Sequence, residues 1–299
     1  MTDVRVARAE RLQALAEEAA EHFRAREGEV SPEELAQEIS VWAAETFGDR
    51  LAVACSMADA TLPHVVAQHA PGVDVLFLET GYHFPETLTT RDAVAQALPV
   101  HVVDVSAPQS VPEQDAEHGP QLWARDPGLC CALRKVAPLR GALAGYDAWV
   151  TGVRRDEGPT RAQTPLVTWD EGFGLVKINP LALWTFDEVM AYSRRHGLPE
   201  NPLLQQGYPS IGCAPCTQRV APGADPRSGR WAGFEKTECG LHPGTDGGSH
   251  ELAEDAPATA GSVRALDLPS LRHGATDRRA EVSPTDATPV SETSKETRA

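Results

Sequence analysis

A chain of 299 residues with 43 acidic against 27 basic side chains, a formal net charge of -16, is long enough for one large or two ordinary domains. That negative excess excludes non-specific attraction to nucleic acid or to an anionic membrane, which needs clustered Lys and Arg. No stretch approaches the roughly 20 apolar residues of a spanning helix, so neither nucleic acid nor membrane is expected as a partner.

Residues 1–50 read as N-terminal helices. Their start, "MTDVRVARAERLQALAEEAAEHF", is charged and lacks the apolar core of a signal peptide, which makes a cytoplasmic protein the expectation. In "SPEELAQEI", Ser31 stands at an N-cap, Pro32 at the first helical position and Glu34 as the reciprocal capping-box partner. Leu35, Ile39 and Trp42 then share one face, and Gly48 is the stop.

Short apolar runs follow at Leu51 to Ala54, Val75 to Leu78, Val100 to Val105 and Ala148 to Val153, with room for helices between them. Runs without strict alternation suit strands buried on both faces, so the spacing predicts an α/β fold with an open, mostly parallel sheet. "LVKINP" (Leu175 to Pro180) reads as a further strand, and "TFDEVMAYSRRHG" as a helix boxed by Thr185 and Glu188 and stopped by Gly197. From Thr245 to Ala299 there is no Phe, Tyr, Trp or Ile, and disorder is expected there. Truncation at Thr245 is accordingly expected to leave any activity intact.

Four places carry chemistry. In "AVACSMADATLP" a strand runs into Ser56 to Thr61 and then a helix, a turn that can expose N–H groups to an anion but that on its own reads more readily as an ordinary polar turn. Cys55, at the strand's end, reads as a small buried hydrophobe. Next come the adjacent Cys130 and Cys131, which make at best a strained disulfide, and the CxxC pair Cys213 and Cys216. Their spacing leaves open a zinc site, an iron–sulfur site or reduced buried thiols. In "CCALRK", Arg134 and Lys135 each lie four residues beyond a cysteine, where helical spacing lets cations offset thiolates and reach an anionic ligand. Arg227 and Arg230 then fall in the glycine-containing "DPRSGRWAGF", ahead of a lone Cys239 in "KTECGLHPG" whose neighbours Glu238 and Gly240 are not those of a buried structural thiol.

These cysteines, together with "LETGYHFPET", "TGVRRDEGPTRAQTP" and the terminal Glu238-Cys239-Gly240-Leu241-His242, resemble the assimilatory adenylyl-sulfate and phosphoadenylyl-sulfate reductases of the iron–sulfur bacterial and plant type, over roughly Leu51 to Gly244. The resemblance implies an open, doubly wound domain of the adenine nucleotide alpha-hydrolase type. Its implied layout is a nucleotide-binding and cluster domain over 51–216, a mobile catalytic segment over 217–244 and a disordered tail over 245–299.

By the same resemblance, Cys239 attacks the sulfur of adenylyl sulfate, AMP leaves, and an S-sulfocysteine remains for reduced thioredoxin or a similar dithiol protein to resolve as sulfite, in sulfate assimilation and cysteine biosynthesis. Cys130, Cys131, Cys213 and Cys216 would hold a 4Fe-4S cluster. Lys135, Arg227, Arg230 and His242 would contact the phosphosulfate, Ser56 and Asp59 the phosphate-binding turn's ligand, and Gly152 and Arg161 the nucleotide. Met57 and Ala58 depart from the Ser-Gly-Gly-x-Asp-Ser turn of ATP-cleaving relatives, which argues against a triphosphate. The alternatives are phosphoadenylyl sulfate as main or additional substrate, and tRNA thiolation by an enzyme of the same fold.

Overall fold

The computed structural model describes residues 2–241 and 263–265. Two helices come first, α1 (Thr2–Arg26) and α2 (Pro32–Phe47), followed by β1 (Leu51–Ala54), α3 (Thr61–Ala67), β2 (Asp74–Glu79), α4 (Pro85–Ala97) and β3 (His101–Ser106). The middle of the chain gives α5 (Val111–His118), α6 (Leu122–Arg125), α7 (Pro127–Cys131), α8 (Ala137–Leu143) and β4 (Ala148–Thr151). Then follow β5 (Val167–Asp170), β6 (Leu175–Ile178), α9 (Phe186–His196) and, much later, β7 (Val263–Ala265). The chain divides into units Met1–Asp267 and Leu268–Ala299, the second lying wholly outside the described residues.

Helix ends are where the capping residues put them. The Ser31 hydroxyl accepts the Glu34 N–H at 3.2 Å and the Glu34 carboxylate accepts the Ser31 N–H at 3.0 Å. Thr185 and Glu188 repeat the box at α9, which ends on Gly197 in the left-handed region at φ 61°.

The strands form one sheet in the order β5-β6-β4-β1-β2-β3-β7. Every pair from β6 to β3 is parallel, whereas β5 joins β6 and β7 joins β3 in antiparallel register. Alternate residues feed two cores, as a sheet buried on both faces requires. Val53, Val75 and Val150 meet Leu12, Phe23, Leu35 and Ile39 of α1 and α2, while Ala52, Leu76 and Trp149 meet Leu139 and Leu143 of α8. This is the open, mostly parallel α/β sheet that the apolar runs predict, doubly wound as the resemblance implies.

Two strands were not legible as such. β5 runs antiparallel beside β6 at one edge. β7 falls inside the stretch expected to be disordered, most of which lies outside the described residues; Val263–Ala265 is a strand because the β3 edge offers it unpaired backbone groups. Three residues are too few to leave an apolar period in the sequence. Among the described residues no helix is long and apolar enough to cross a membrane.

The topology also fixes where a ligand can sit. β1 leads to β2 on one side and β4 lies on the other, so the loops leaving β1 and β4 diverge and open a crevice beyond their carboxyl ends.

Candidate active site

A cavity of about 220 Å³ occupies that crevice, lined by Ser56, Asp59, Lys135, Gly152, Arg161, Arg227, Arg230 and Cys239 among others. Eight residues singled out from widely separated stretches of sequence therefore meet. The ninth, His242, lies outside the described residues, as do Pro243 and Gly244 of the same motif.

The turn after β1 is built without glycine, yet not without glycine's backbone. Met57 takes φ 57°, the left-handed conformation that costs an L residue roughly 1 kcal/mol, and its side chain is fully buried in the core. The segment after α9 clamps the turn: Ala60 N–H bonds Pro199 O at 3.1 Å and Asn201 N–H bonds Ala58 O at 2.9 Å. The Asp59 carboxylate accepts the Thr61 N–H at 2.8 Å, a two-residue turn ahead of α3 in the cavity wall, while burial raises its pKa. Cys55 is part-buried, and burial pushes its thiol up to about 12, the inert state expected of a small core thiol.

All six cysteines are free. Cys130, Cys131, Cys213 and Cys216 line one small cavity with Tyr82, Trp123, Arg134, Lys135 and Trp231. Cys130 and Cys131 end α7, whose Asp126 cap accepts the Leu129 N–H at 2.8 Å. The CxxC pair brackets the turn Ala214–Cys216, which docks on the "LETGYHFPET" loop through Ala214 N–H and Tyr82 O at 2.7 Å. Burial, then the neighbouring thiols, pushes Cys130 up to about 12 and Cys216 to about 11. Cys213 goes the other way: burial opposes its ionisation, but Lys135, the Thr80 hydroxyl 3.3 Å away and Arg230 together outweigh that. Among the described residues, no three His, Cys, Asp or Glu side chains close on a single metal-ion position.

The helical spacing expected of "CCALRK" does bring both cations to the cysteine cavity. Ala132–Val136 is a π turn between α7 and α8, and beyond that shared wall Arg134 and Lys135 have different partners. Arg134 is buried and spends its donors on Thr80 O, Gln109 O and Gln114 Oε1, bracing the loop after β2. Lys135 lines both cavities. Burial alone would lower its pKa, yet the thiols of Cys213, Cys131 and Cys239 raise it above the ordinary lysine range.

Residues 217–231 form a hairpin. Gln218 N–H bonds Gly229 O at 2.8 Å and Trp231 N–H bonds Cys216 O at 3.0 Å, which returns Arg227 and Arg230 to the cysteine turn. Gly229 is required there, because a Cβ would fall 2.3 Å from Gln218 O. Trp231 went unnoticed in the sequence and is the hub: it is buried, lines the cysteine cavity, and stacks under Arg230 at 4.7 Å and Lys236 at 5.5 Å. Gly212 was missed too, and a Cβ on it would lie 2.2 Å from an Arg230 nitrogen.

Cys239 is part-buried against the cavity, less exposed than its polar neighbours suggested. Leu241 packs on the α8 face of the sheet, and Glu238 is held on the other side of the thiol. The Glu238 carboxylate accepts Arg161 Nε and Nη2 at 2.7 Å each, Arg227 Nη2 at 3.1 Å and the Thr160 hydroxyl at 3.1 Å. Its sequence signal was its place in the terminal Glu238-Cys239-Gly240-Leu241-His242 motif.

Comparison with known proteins agrees with this geometry. Residues 50–219 match the family described as the phosphoadenosine phosphosulfate reductase domain. A Streptomyces coelicolor adenosine 5'-phosphosulfate reductase is 57% identical over 78% of this chain and 95% of its own. The Mycolicibacterium smegmatis enzyme of the same name is 56% identical over 81% of this chain and 99% of its own. Among solved structures, a Candida auris phosphoadenylyl-sulfate reductase in phosphate complex superposes with a TM-score of 0.55 at 31% identity, covering 68% of this chain and 97% of that one. The chain belongs to the phosphoadenosine phosphosulfate reductase family, and with it to the oxidoreductases acting on sulfur.

Proposed function

We propose that this chain reduces adenylyl sulfate to sulfite and AMP, with Cys239 as the nucleophile. The observation that carries this reading is the meeting of a part-buried thiol with Lys135, Arg161, Arg227 and Arg230 in one cavity at the crevice between β1 and β4. Relatives at 56–57% identity are named for adenosine 5'-phosphosulfate, which favours that nucleotide.

The Cys239 thiolate attacks the sulfur of adenylyl sulfate, forming an Sγ–S bond as the bond to the phosphate oxygen breaks and AMP leaves with that electron pair. Attack of an anion on an anion is opposed by like charge, and Lys135, Arg227 and Arg230 offset the charge that builds between them. Ser56, Asp59, Gly152 and Arg161 line the part of the crevice where the nucleotide rests, and His242 is assigned to the phosphosulfate by resemblance alone. A dithiol protein, thioredoxin or its like, then attacks Cys239 Sγ. Sulfite departs with the Sγ–S pair, and the second thiol resolves the mixed disulfide, so the dithiol supplies both electrons.

Cys130, Cys131, Cys213 and Cys216 fit a 4Fe-4S cluster as a donor set: four free thiols facing one cavity, with a buried lysine to counter their charge. When bound, the cluster supplies a negative centre beside Lys135 rather than the reducing electrons. Six unpaired thiols also suit a cytoplasmic, reducing compartment.

The direct experiment is mass spectrometry of cluster-replete protein mixed with adenylyl sulfate and no reductant. An adduct of one SO₃ group on Cys239 is expected, and its absence sinks the reading. The phosphorylated nucleotide remains the second substrate to compare, since the structural relative is named for it; steady-state rates on the two nucleotides separate them. A tRNA substrate fits poorly with a net charge of -16.

Gly212 supplies a separate test of the arginine site. The three atoms nearest the Gly212→Ala methyl all belong to the Arg230 guanidinium, which otherwise bonds Ser210 Oγ and Ile211 O and stacks on Trp231, so the fold should stand while Arg230 leaves its place. Affinity for adenylyl sulfate should fall about tenfold, as for loss of one charge-assisted contact, with Tm nearly unchanged. Calorimetric titration with a thermal melt checks both.

A further inference from the structure

Arg161 presents its two-pronged edge to Glu238, with both donor distances at 2.7 Å, and gives its third nitrogen to Glu157 at 2.6 Å. Arg227 gives one nitrogen to Glu238 and to the carbonyl of Thr237. The three side chains are only 9–11% exposed. Both guanidiniums line the cavity, so the donors that a phosphate or sulfate would use are already committed to a carboxylate of the same charge and similar fork geometry.

We propose that Glu238 is an exchangeable internal counter-ion: it holds Arg161 and Arg227 and so parks Cys239 at the cavity, and an anionic nucleotide displaces it by taking the same donors. The proposal rests on the nucleotide-reducing function above and makes Glu238 a positioning residue for Cys239.

Three features support an exchange rather than a fixed brace. An anion-for-anion swap leaves the charge of a low-dielectric site unchanged, whereas adding a second anion beside Glu238 would meet repulsion. The carboxylate sits one residue before the thiol, so its release frees the backbone that carries Cys239. On the other side, Gly240 at φ 85° turns the chain toward Leu241, which is only partly buried against the α8 face of the sheet. Glu238 is ionised when parked: burial works against its charge, but Arg161 and Arg227 hold its pKa below the usual range.

The test uses the full chain and AMP alone as probe. AMP affinity is measured by calorimetry for wild type, Glu238→Gln and Glu238→Ala, and amide exchange of residues 236–241 is followed in wild type with and without AMP. The expected result is AMP binding about tenfold tighter in the folded variants, as when one charge-assisted competitor is removed, and faster exchange in wild type once AMP is bound. Equal or weaker binding in both variants identifies Glu238 as a brace and overturns the proposal, as does exchange that AMP leaves unchanged. Failure of the function itself reads out separately, as absence of the SO₃ adduct on wild-type Cys239. An adduct with unaltered AMP affinity removes only the exchange.

Discussion

Cys239→Ser should end sulfite production, with a fall in kcat of at least about 10⁴-fold, the scale seen when a covalent nucleophile is removed from other enzymes. The serine hydroxyl is scarcely ionised at neutral pH and has no sulfur to join to the transferred group, so neither the adduct nor its release by a dithiol can form. The fold should be indifferent to the change. Cys239 is only part-buried, follows the 217–231 hairpin and belongs to neither main core. AMP affinity and Tm should therefore match wild type, while the SO₃ adduct disappears. Sulfite release by the serine variant at the normal rate would remove Cys239 from the chemistry and with it the proposed function.

Why that thiol could be found from sequence, and its setting could not, follows from how each is encoded. The parallel strands are written as apolar runs because both faces are buried, and Leu51–Ala54 is bounded as the run is. Helices α2 and α9 are written in their boxes because a cap is local to four residues. β7 depends instead on an edge supplied by distant residues, which no local pattern marks, whereas β5 pairs β6 across the short turn of residues 171–174 and is too short to stand out as an apolar run. The site divides the same way. Cysteine spacing, the Cys239 motif and the four-residue offset that brings Arg134 and Lys135 to the thiols are local, whereas the bonds of Arg134 to Thr80 and Gln114 are tertiary. Arg161, Arg227 and Glu238 could each be noticed, but their mutual neutralisation is a tertiary fact. The importance of Gly212 likewise lies in a guanidinium 18 residues away in sequence.

Lys135 is where the two cavities share a wall, and its removal should act on both. In Lys135→Ala the cysteine cavity loses the charge that favours ionisation of Cys213, and a buried thiolate without its counter-ion is costly. The cluster's visible absorption or electron paramagnetic spectrum should shift, or the iron content should fall. In the larger cavity the same deletion withdraws a cation placed beside Cys239, so kcat/KM for adenylyl sulfate should drop roughly 10²–10³-fold, as for loss of one preorganised electrostatic contact. Arg230 cannot take over, because Trp231 stacks against it and Ser210 and Ile211 hold its outer nitrogen. Lys135→Arg should restore part of the rate but less of the spectrum, since a guanidinium needs more room than an ammonium against Cys213. If Lys135→Ala left both the substrate affinity and the cluster spectrum as in wild type, the lysine would be a bystander, and the thiol cavity would have no electrical connection to the site of reaction.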